Sequence, residues 1–412
     1  MGHGDRDVMK AIRFACLALA LSACQGPPTQ SASNDQRPLE VILASDGLAA
    51  ADAALAGRTR TPETSFQLGG VRFLRAIETM LQTRYESYDA EVPFIPGFAA
   101  PLPPNANASF DPGFLETALK GALEHLDGAR VALGEATNGE FSTELRLDAL
   151  WFDIDRDRRR SDWESLQAIL EGVGAQVDWN SFNGKVRFDT ADAEWLAAYV
   201  HLISGTSEMV LSVDPTTAIR TVYEGRAKLE RAGAIGAPDF LFGDDAWIDQ
   251  AAAVLMALDG EPDAARTRKA LDHFRSIIAH NRKFWPEMMA ETDNDHEWLP
   301  NPSQTSAFGI EITVEIATGW QDVLAELDEM LEGRALIPFW RTPPGPQGAV
   351  NGVGINLRRL LTDPPNLNVA LLIQGAAIAP YLDQGKLVTL NAWNRFGALT
   401  RGDGLLMAAI LN

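Results

Sequence analysis

Cysteine is nearly absent from this chain. Its 412 residues hold only Cys16 and Cys24. So few thiols exclude a disulfide framework, a Cys-ligated zinc site and, beyond Cys24, any thiol chemistry. A chain of this length needs no such staple, because it can bury a large core. Histidine is scarce too, with six residues. No His-Glu-x-x-His occurs, which removes the commonest zinc-hydrolase signature. A phosphate-cradling Gly-x-x-x-x-Gly-Lys-Ser/Thr and a Gly-x-Ser-x-Gly nucleophile elbow are also missing. Gly352-Val-Gly354 lacks a third glycine and a convincing strand before it, so no dinucleotide site is expected. No apolar run after Leu21 reaches the roughly 18 residues a membrane-spanning helix needs. Positive charge is outweighed, with 35 Lys and Arg against 56 Asp and Glu, for a net charge of −21. Such a surface repels nucleic acid and anionic lipid headgroups, so no nucleic-acid partner is expected. It accommodates cationic partners or divalent metals, or serves solubility alone. No period of about 30–45 residues marks a helical array.

What is present begins at the N-terminus. Lys10 and Arg13 precede an apolar run from Phe14 to Leu21, followed by Ser22, Ala23 and Cys24. A short positive region, a short apolar core and small residues at a cut site describe a secretory signal peptide over residues 1–23. Residues 1–8 fit no part of such a signal, so Met9 is expected to be the true start. Leu21-Ser22-Ala23-Cys24 resembles the lipobox of bacterial lipoproteins. That resemblance implies cleavage before Cys24 and a lipid on Cys24 as the membrane attachment. The plainer alternative is an ordinary signal peptide with a chance cysteine. Residues 24–38 are polar and rich in Pro, Ser and Gln, too poor in apolar surface to offset ordering entropy, and read as a disordered tether. By analogy with lipoprotein sorting in enteric bacteria, Gln25 after the cysteine favours the outer membrane. The expected address is the cell envelope, lipid-anchored and facing the periplasm.

The remainder, residues 39–412, reads as one mainly helical body with a small β-hairpin element. Leu48 to Ala56, Thr61 to Tyr88, Pro112 to Leu133, Ser161 to Leu170 and Ala191 to Leu211 carry helical patterns. So do Thr216 to Ala232, Ala246 to Leu258, Asp263 to Glu291 and Val314 to Leu331. Val71, Leu74, Ile77, Met80 and Leu81 recur at three and four spacing, as do Leu115, Leu119, Leu123 and Leu126, giving buried faces. Pro93, Pro96, Pro101, Pro103 and Pro104 make Val92 to Pro112 a long loop. Leu145 to Asp153 alternates like a strand. Asn183-Gly184 signals a hairpin turn between Val177–Trp179 and Val186–Phe188. Thr342 to Gly354 reads as loop, and the nearly all-apolar Leu367 to Tyr381 as a central buried helix.

One loop carries metal chemistry in its spacing. Asp153, Asp155, Asp157, Arg159, Ser161 and Glu164 stand at positions 1, 3, 5, 7, 9 and 12 of a 12-residue stretch. A hard cation wants six or more oxygens, and alternating residues in a tight loop turn theirs inward. The stretch resembles the calcium loop of EF-hands in a degenerate form. The resemblance implies carboxylate ligands at Asp153, Asp155 and Asp157, the Arg159 carbonyl, a contact through Ser161 and a bidentate Glu164. Position 6, normally Gly, is Arg158, and position 8, normally aliphatic, is Arg160. Arg156, Arg158, Arg159 and Arg160 could instead neutralise the carboxylates, leaving a loop of acid–arginine pairs.

A second cluster runs from Glu291 to Trp298, where Asp293 and Glu297 flank His296. Together with His201 they form the candidate acid–base set of a hydrolase. A solvated helix-to-loop junction is the plainer reading. Tyr199, His201 and Glu208 share one helix, and His201 reads equally as a boundary histidine. His273 and His280 lie two turns apart on another helix, too far apart for one metal without help.

Three stretches resemble a group of bacterial proteins without an established activity. They are Phe188-Asp-x-x-Asp192-x-x-Trp195-Leu, Glu291-Thr-Asp-Asn-Asp-x-Glu-Trp-x-Pro-Asn-Pro and Leu336-Ile-Pro-Phe-Trp-Arg341. The resemblance assigns no role to any residue. The sequence therefore leads to an envelope-anchored, non-enzymatic binding or scaffold module with a structural calcium ion. The alternative is an envelope hydrolase using His201, Asp293 and Glu297.

Overall fold

The computed structural model describes residues 35–87, 102–172, 179, 182–235, 246–342, 350–402 and 404–412. The signal region, Cys24 and most of the tether lie outside these residues. Of the tether, Arg37 pairs with Asp35 and Asp46, and the Arg58 guanidinium reaches the Arg37 carbonyl.

Among the described residues the body is mainly helical, with thirteen helices and two small antiparallel sheets. The helices α1 (Leu39–Ala56), α2 (Pro62–Ser87) and α3 (Phe114–Ala136) come first. Strand β1 (Ser142–Arg146) and helix α4 (Leu166–Gly172) follow, then strand β2 (Lys185–Asp189). Next are α5 (Thr190–Leu211), α6 (Pro215–Arg231), α7 (Ala246–Ala257), α8 (Ala264–Ala290) and α9 (Val314–Leu331).

The three- and four-residue spacing seen in the sequence is the buried face of the central helices. Leu119 and Leu126 of α3 and Met80 and Leu81 of α2 are sealed from solvent. Helices α2 and α3 pack along their length, α3 leans on α5, and α5 packs on α8. Gly205 fixes one close approach, since a Cβ there would lie 2.7 Å from the Phe274 ring and 3.2 Å from His273 Cβ. Asp189 caps α5 by accepting from the Ala191 amide, and Asp263 caps α8 in the same way. Helix α8 continues through Pro286 to Ala290.

A second core joins α1 to the β1–β2 unit through Leu43, Leu48, Leu147, Phe152, Ile154 and Val186. Buried Trp151 donates its indole N–H to the Leu43 carbonyl at 2.8 Å. Gly47, at φ +77°, breaks α1 beside it, and a Cβ there would stand 3.0 Å from the indole.

The small β element forms with a different partner. Residues 186–188 are strand, but β2 pairs antiparallel with β1, from Ser142 opposite Asp189 to Arg146 opposite Lys185. Residues 177 and 178 lie outside the described residues, and Trp179 sits in a turn. Asn183-Gly184 does turn the chain: Asn183 Oδ1 accepts from the Lys185 amide, and the Gly184 carbonyl accepts from Leu147.

The C-terminal part departs furthest from its sequence reading. Strands β3 (Ile337–Pro338), β4 (Asn351–Ile355) and β5 (Leu382–Lys386) form a three-stranded antiparallel sheet where Thr342 to Gly354 read as loop. Helix α10 (Leu357–Thr362) follows β4. The expected central helix over Leu367 to Tyr381 is a surface element. It splits into α11 (Val369–Gln374) and a 3-10 turn, Ala376–Tyr381, at left-handed Gly375. Leu371 is 50 % exposed and Ile373 70 %. Pro380 and Gly375 limit the helix to short pieces, and α8 already fills the central position. Helices α12 (Asn391–Leu399) and α13 (Gly404–Leu411) close the chain, with α12 packed on α9.

Candidate metal loop

The Asp153–Glu164 loop is built from its two ends inward. The Phe152 amide donates to the Glu164 carbonyl at 2.9 Å and the Leu166 amide to Leu150 at 3.1 Å, so the ends are joined like a strand pair. Ile154 is fully buried and pins the loop to the second core. Helix α2 holds position 1. Glu78 accepts from the Asp153 amide at 2.8 Å, and Gln82 donates to the Asp153 carbonyl at 2.7 Å. Glu78 is itself buried, which pushes its carboxyl above the usual range, and Arg75 partly offsets this.

Each carboxylate at positions 1, 3 and 5 is aimed by a backbone amide further along. Asp153 accepts from Arg158 at 2.9 Å, Asp155 from Asp157 at 3.0 Å and Asp157 from Arg159 at 2.7 Å. Arg156 and Arg158 adopt left-handed backbone, at φ 62° and 61°. Arg158 therefore takes the sharp turn that glycine makes at position 6, at a cost of roughly 1–2 kcal/mol. Glu164 lies beneath. Its Oε1 accepts from the Ile154 and Asp155 amides at 2.8 and 3.4 Å, and its Oε2 from Ser161 at 3.0 Å. Burial raises its carboxyl above the usual range, against those three bonds.

Ligand oxygens of Asp153, Asp155 and Glu164 lie within 4.8 Å of one another. Asp157 stands outside that group. Arg159 and Ser161 carry no carboxylate, so only a carbonyl and a hydroxyl are available there. The arginines do not close the site. Arg156 pairs with Glu86 of α2, and Arg160 donates to the Asp148 carbonyl at 3.1 Å. Among the described residues, no guanidinium of Arg156, Arg158, Arg159 or Arg160 pairs with Asp153, Asp155 or Asp157. The donor set is hard, anionic and all-oxygen, which fits calcium rather than a thiophilic metal. A cleft of about 350 Å³ adjoins the loop, lined in part by Asp148, Arg160, Asp162 and Trp179.

The hydrolase set does not assemble. His201 lies on α5, where its Nδ1 is 2.8 Å from His273 Nδ1 of α8 and its ring stacks on His280. Asp293 and Glu297 instead gather round Arg187 of β2, with Glu297 at 3.8 Å. Arg187 precedes α5, and His201 stands eleven residues into that helix, about 16 Å along its axis. Glu297 also accepts from the Asp295 amide, and His296 bonds Asn183, so this segment is a structural junction. Nearby, burial and the Asp189 charge push Glu291 up to about 7, while Gln304 donates to it. Buried Asp192 is raised well above its ordinary range by desolvation. Glu208 pairs with Arg266 and Lys269.

Two arrangements appear only once the helices are packed. One is the row of His273, His201 and His280, which needs two helices to form. Its only trace is the seven-residue spacing of His273 and His280 on one face of α8. The other is Glu194, which bonds His280 Nδ1 at 2.5 Å and Lys283 at 3.0 Å. Compared with known protein families, curated proteins and solved structures, the chain matches none.

Proposed function

We propose that the protein is an envelope lipoprotein, anchored through a lipid on Cys24, whose body is a non-enzymatic binding or scaffold module braced by calcium. The observation that carries the calcium is the convergence of Asp153, Asp155 and Glu164 within 4.8 Å, with the Arg156 and Arg160 guanidiniums engaged by Glu86 and the Asp148 carbonyl. Three carboxylates this close repel one another, and a dication offsets that repulsion. An ion there would tie α2, the β1 unit and the Glu164 turn together through groups that already touch. It would act structurally, as a brace between those elements. The lipid anchor rests on Leu21-Ser22-Ala23-Cys24.

Thermal unfolding of the full chain in EDTA and in millimolar calcium tests the metal. With a dissociation constant of about 0.1 mM, 1 mM calcium adds about 1.4 kcal/mol. In a protein of this size the midpoint then rises by about 2 °C. Asp153→Ala should abolish the rise, and an equal midpoint with and without calcium overturns the calcium reading. The anchor has its own test. Cys24→Ser should release the protein from the membrane fraction, and retention of the variant there refutes lipidation at this residue.

A further inference from the structure

The row of imidazoles between α3, α5 and α8 has a hydrogen-bond polarity that can be worked out donor by donor. Arg130 of α3 places Nη1 3.5 Å from His273 Nε2. A guanidinium can only donate, so Nε2 of His273 accepts. Neutral His273 then carries its proton on Nδ1 and donates it to His201 Nδ1 at 2.8 Å. His201 is left with its proton on Nε2 and its ring against His280, with centroids 5.3 Å apart. At the other end, His280 Nδ1 bonds the buried Glu194 carboxylate.

An added proton has no good place in this row. On His201 it must go to Nδ1, which then faces the N–H of His273 at the same short distance. On His273 it must go to Nε2, which then faces the Arg130 N–H. Either event breaks a hydrogen bond by setting two N–H donors face to face, and on His273 it also sets a cation against the Arg130 guanidinium. The acids within reach are already engaged. From α3, Asp127 pairs with Arg130. From α5, Glu208 is held by Arg266 and Lys269, and Glu194 by His280 and Lys283. From α8, Asp272 is a largely exposed side chain. The groups acting on His201 are all basic: His273, His280 and Arg130. Burial first, then these charges, holds His201 down to about 3; burial and Arg130 hold His273 down to about 4, against the pull of Glu208.

We infer that this seam is an acid-sensitive latch, in which neutral His201 and His273 hold α5 against α8 and protonation releases them. The sign follows from linkage. Below about 6.5 an opened imidazole takes a proton, whereas the closed seam refuses it until about 4 or 3. Closure is therefore favoured fully above pH 6.5 and weakens as the pH falls. The latch does not depend on the metal loop, so either can fail without the other.

Hydrogen exchange of the full chain at pH 7.5 and pH 5.0, corrected for intrinsic rates, reads the opening directly. One proton taken up only on opening speeds exchange roughly 30-fold between pH 7.5 and 5.0. Acceleration is expected in the amides of α5 and α8 around His201 and His273, and not in the β1–β2 pair. His201→Gln with His273→Gln should remove most of it, while exposed His296→Gln should leave it intact. An unchanged pH response in the double variant overturns the latch. If that variant does not fold, imidazole proton resonances of the wild type decide. His201 and His273 rings silent down to pH 5 in the closed protein support the latch, and either of these two titrating near 6.5 overturns it.

Discussion

Glu164 does two jobs with one carboxylate. It ends three backbone donors from both sides of its loop and lends an oxygen to the three-carboxylate group. Glu164→Gln keeps the shape but turns one acceptor into a donor facing an amide. The cost should be about 1–3 kcal/mol, with loss of any calcium response, measured by denaturant unfolding. Arg158 offers the opposite test, because its left-handed backbone is a cost rather than a support. Thermal midpoints at position 158 should rank Gly above Arg and Arg above Val, with steps of about 1 kcal/mol. Of the six positions read in this loop, the structure brings together Asp153, Asp155 and Glu164, which lie close in sequence. The behaviour of its arginines was not legible, since Glu86 and Asp148, which engage two of them, lie on other elements. Glu291 gives a pH effect opposite in sign to that of the histidines. With its carboxyl raised to about 7, the folded state holds a proton that the unfolded state has lost above about 4.5. Its contribution is thus present at low pH and lost as the pH rises through 7. Glu291→Gln should stabilise the protein at pH 8, by at most about 3 kcal/mol, and do little at pH 4, as read from unfolding midpoints at both values.

At the scale of elements, close approach decides the outcome. Where α5 crosses α8 at Gly205, any side chain would press on Phe274 and His273. Gly205→Ala should cost about 1–3 kcal/mol by overpacking and should also disturb the imidazole row, whereas Gly225→Ala, in open space on α6, should be neutral or stabilising. The long helices could be read because their pattern repeats for five or more turns. The short elements could not. Residues 367–381 are as apolar as a core helix, yet left-handed Gly375 cuts the run and α8 already occupies the centre. In β4, Gly352 and Gly354 look like loop residues, but a Cβ at either would lie under 3 Å from Leu387 or Leu336. Glycine there admits neighbouring side chains, a reason visible only once the strands are paired. The partner of β2 was missed for a similar cause, because β1 lies some forty residues upstream and the nearer Asn-Gly turn suggested a local hairpin.

At the scale of the molecule, the net charge of −21 is partly organised into pairs, from the half-buried Arg72–Asp52 to the exposed and individually weak Arg395–Asp322. The N-terminal side enters the body by a distinctive route. Leu39 begins α1, left-handed Gly47 interrupts it, and the Trp151 indole holds the Leu43 carbonyl just before that break. A pull applied upstream of Leu39 reaches the segment ahead of Gly47 first. Only after that segment peels from the indole does the load pass to Leu48–Ala56 and α2. The break at Gly47 thus divides α1 into two lengths that such a pull would load one after the other, and the first already carries Ile42 and Leu43 of the second core.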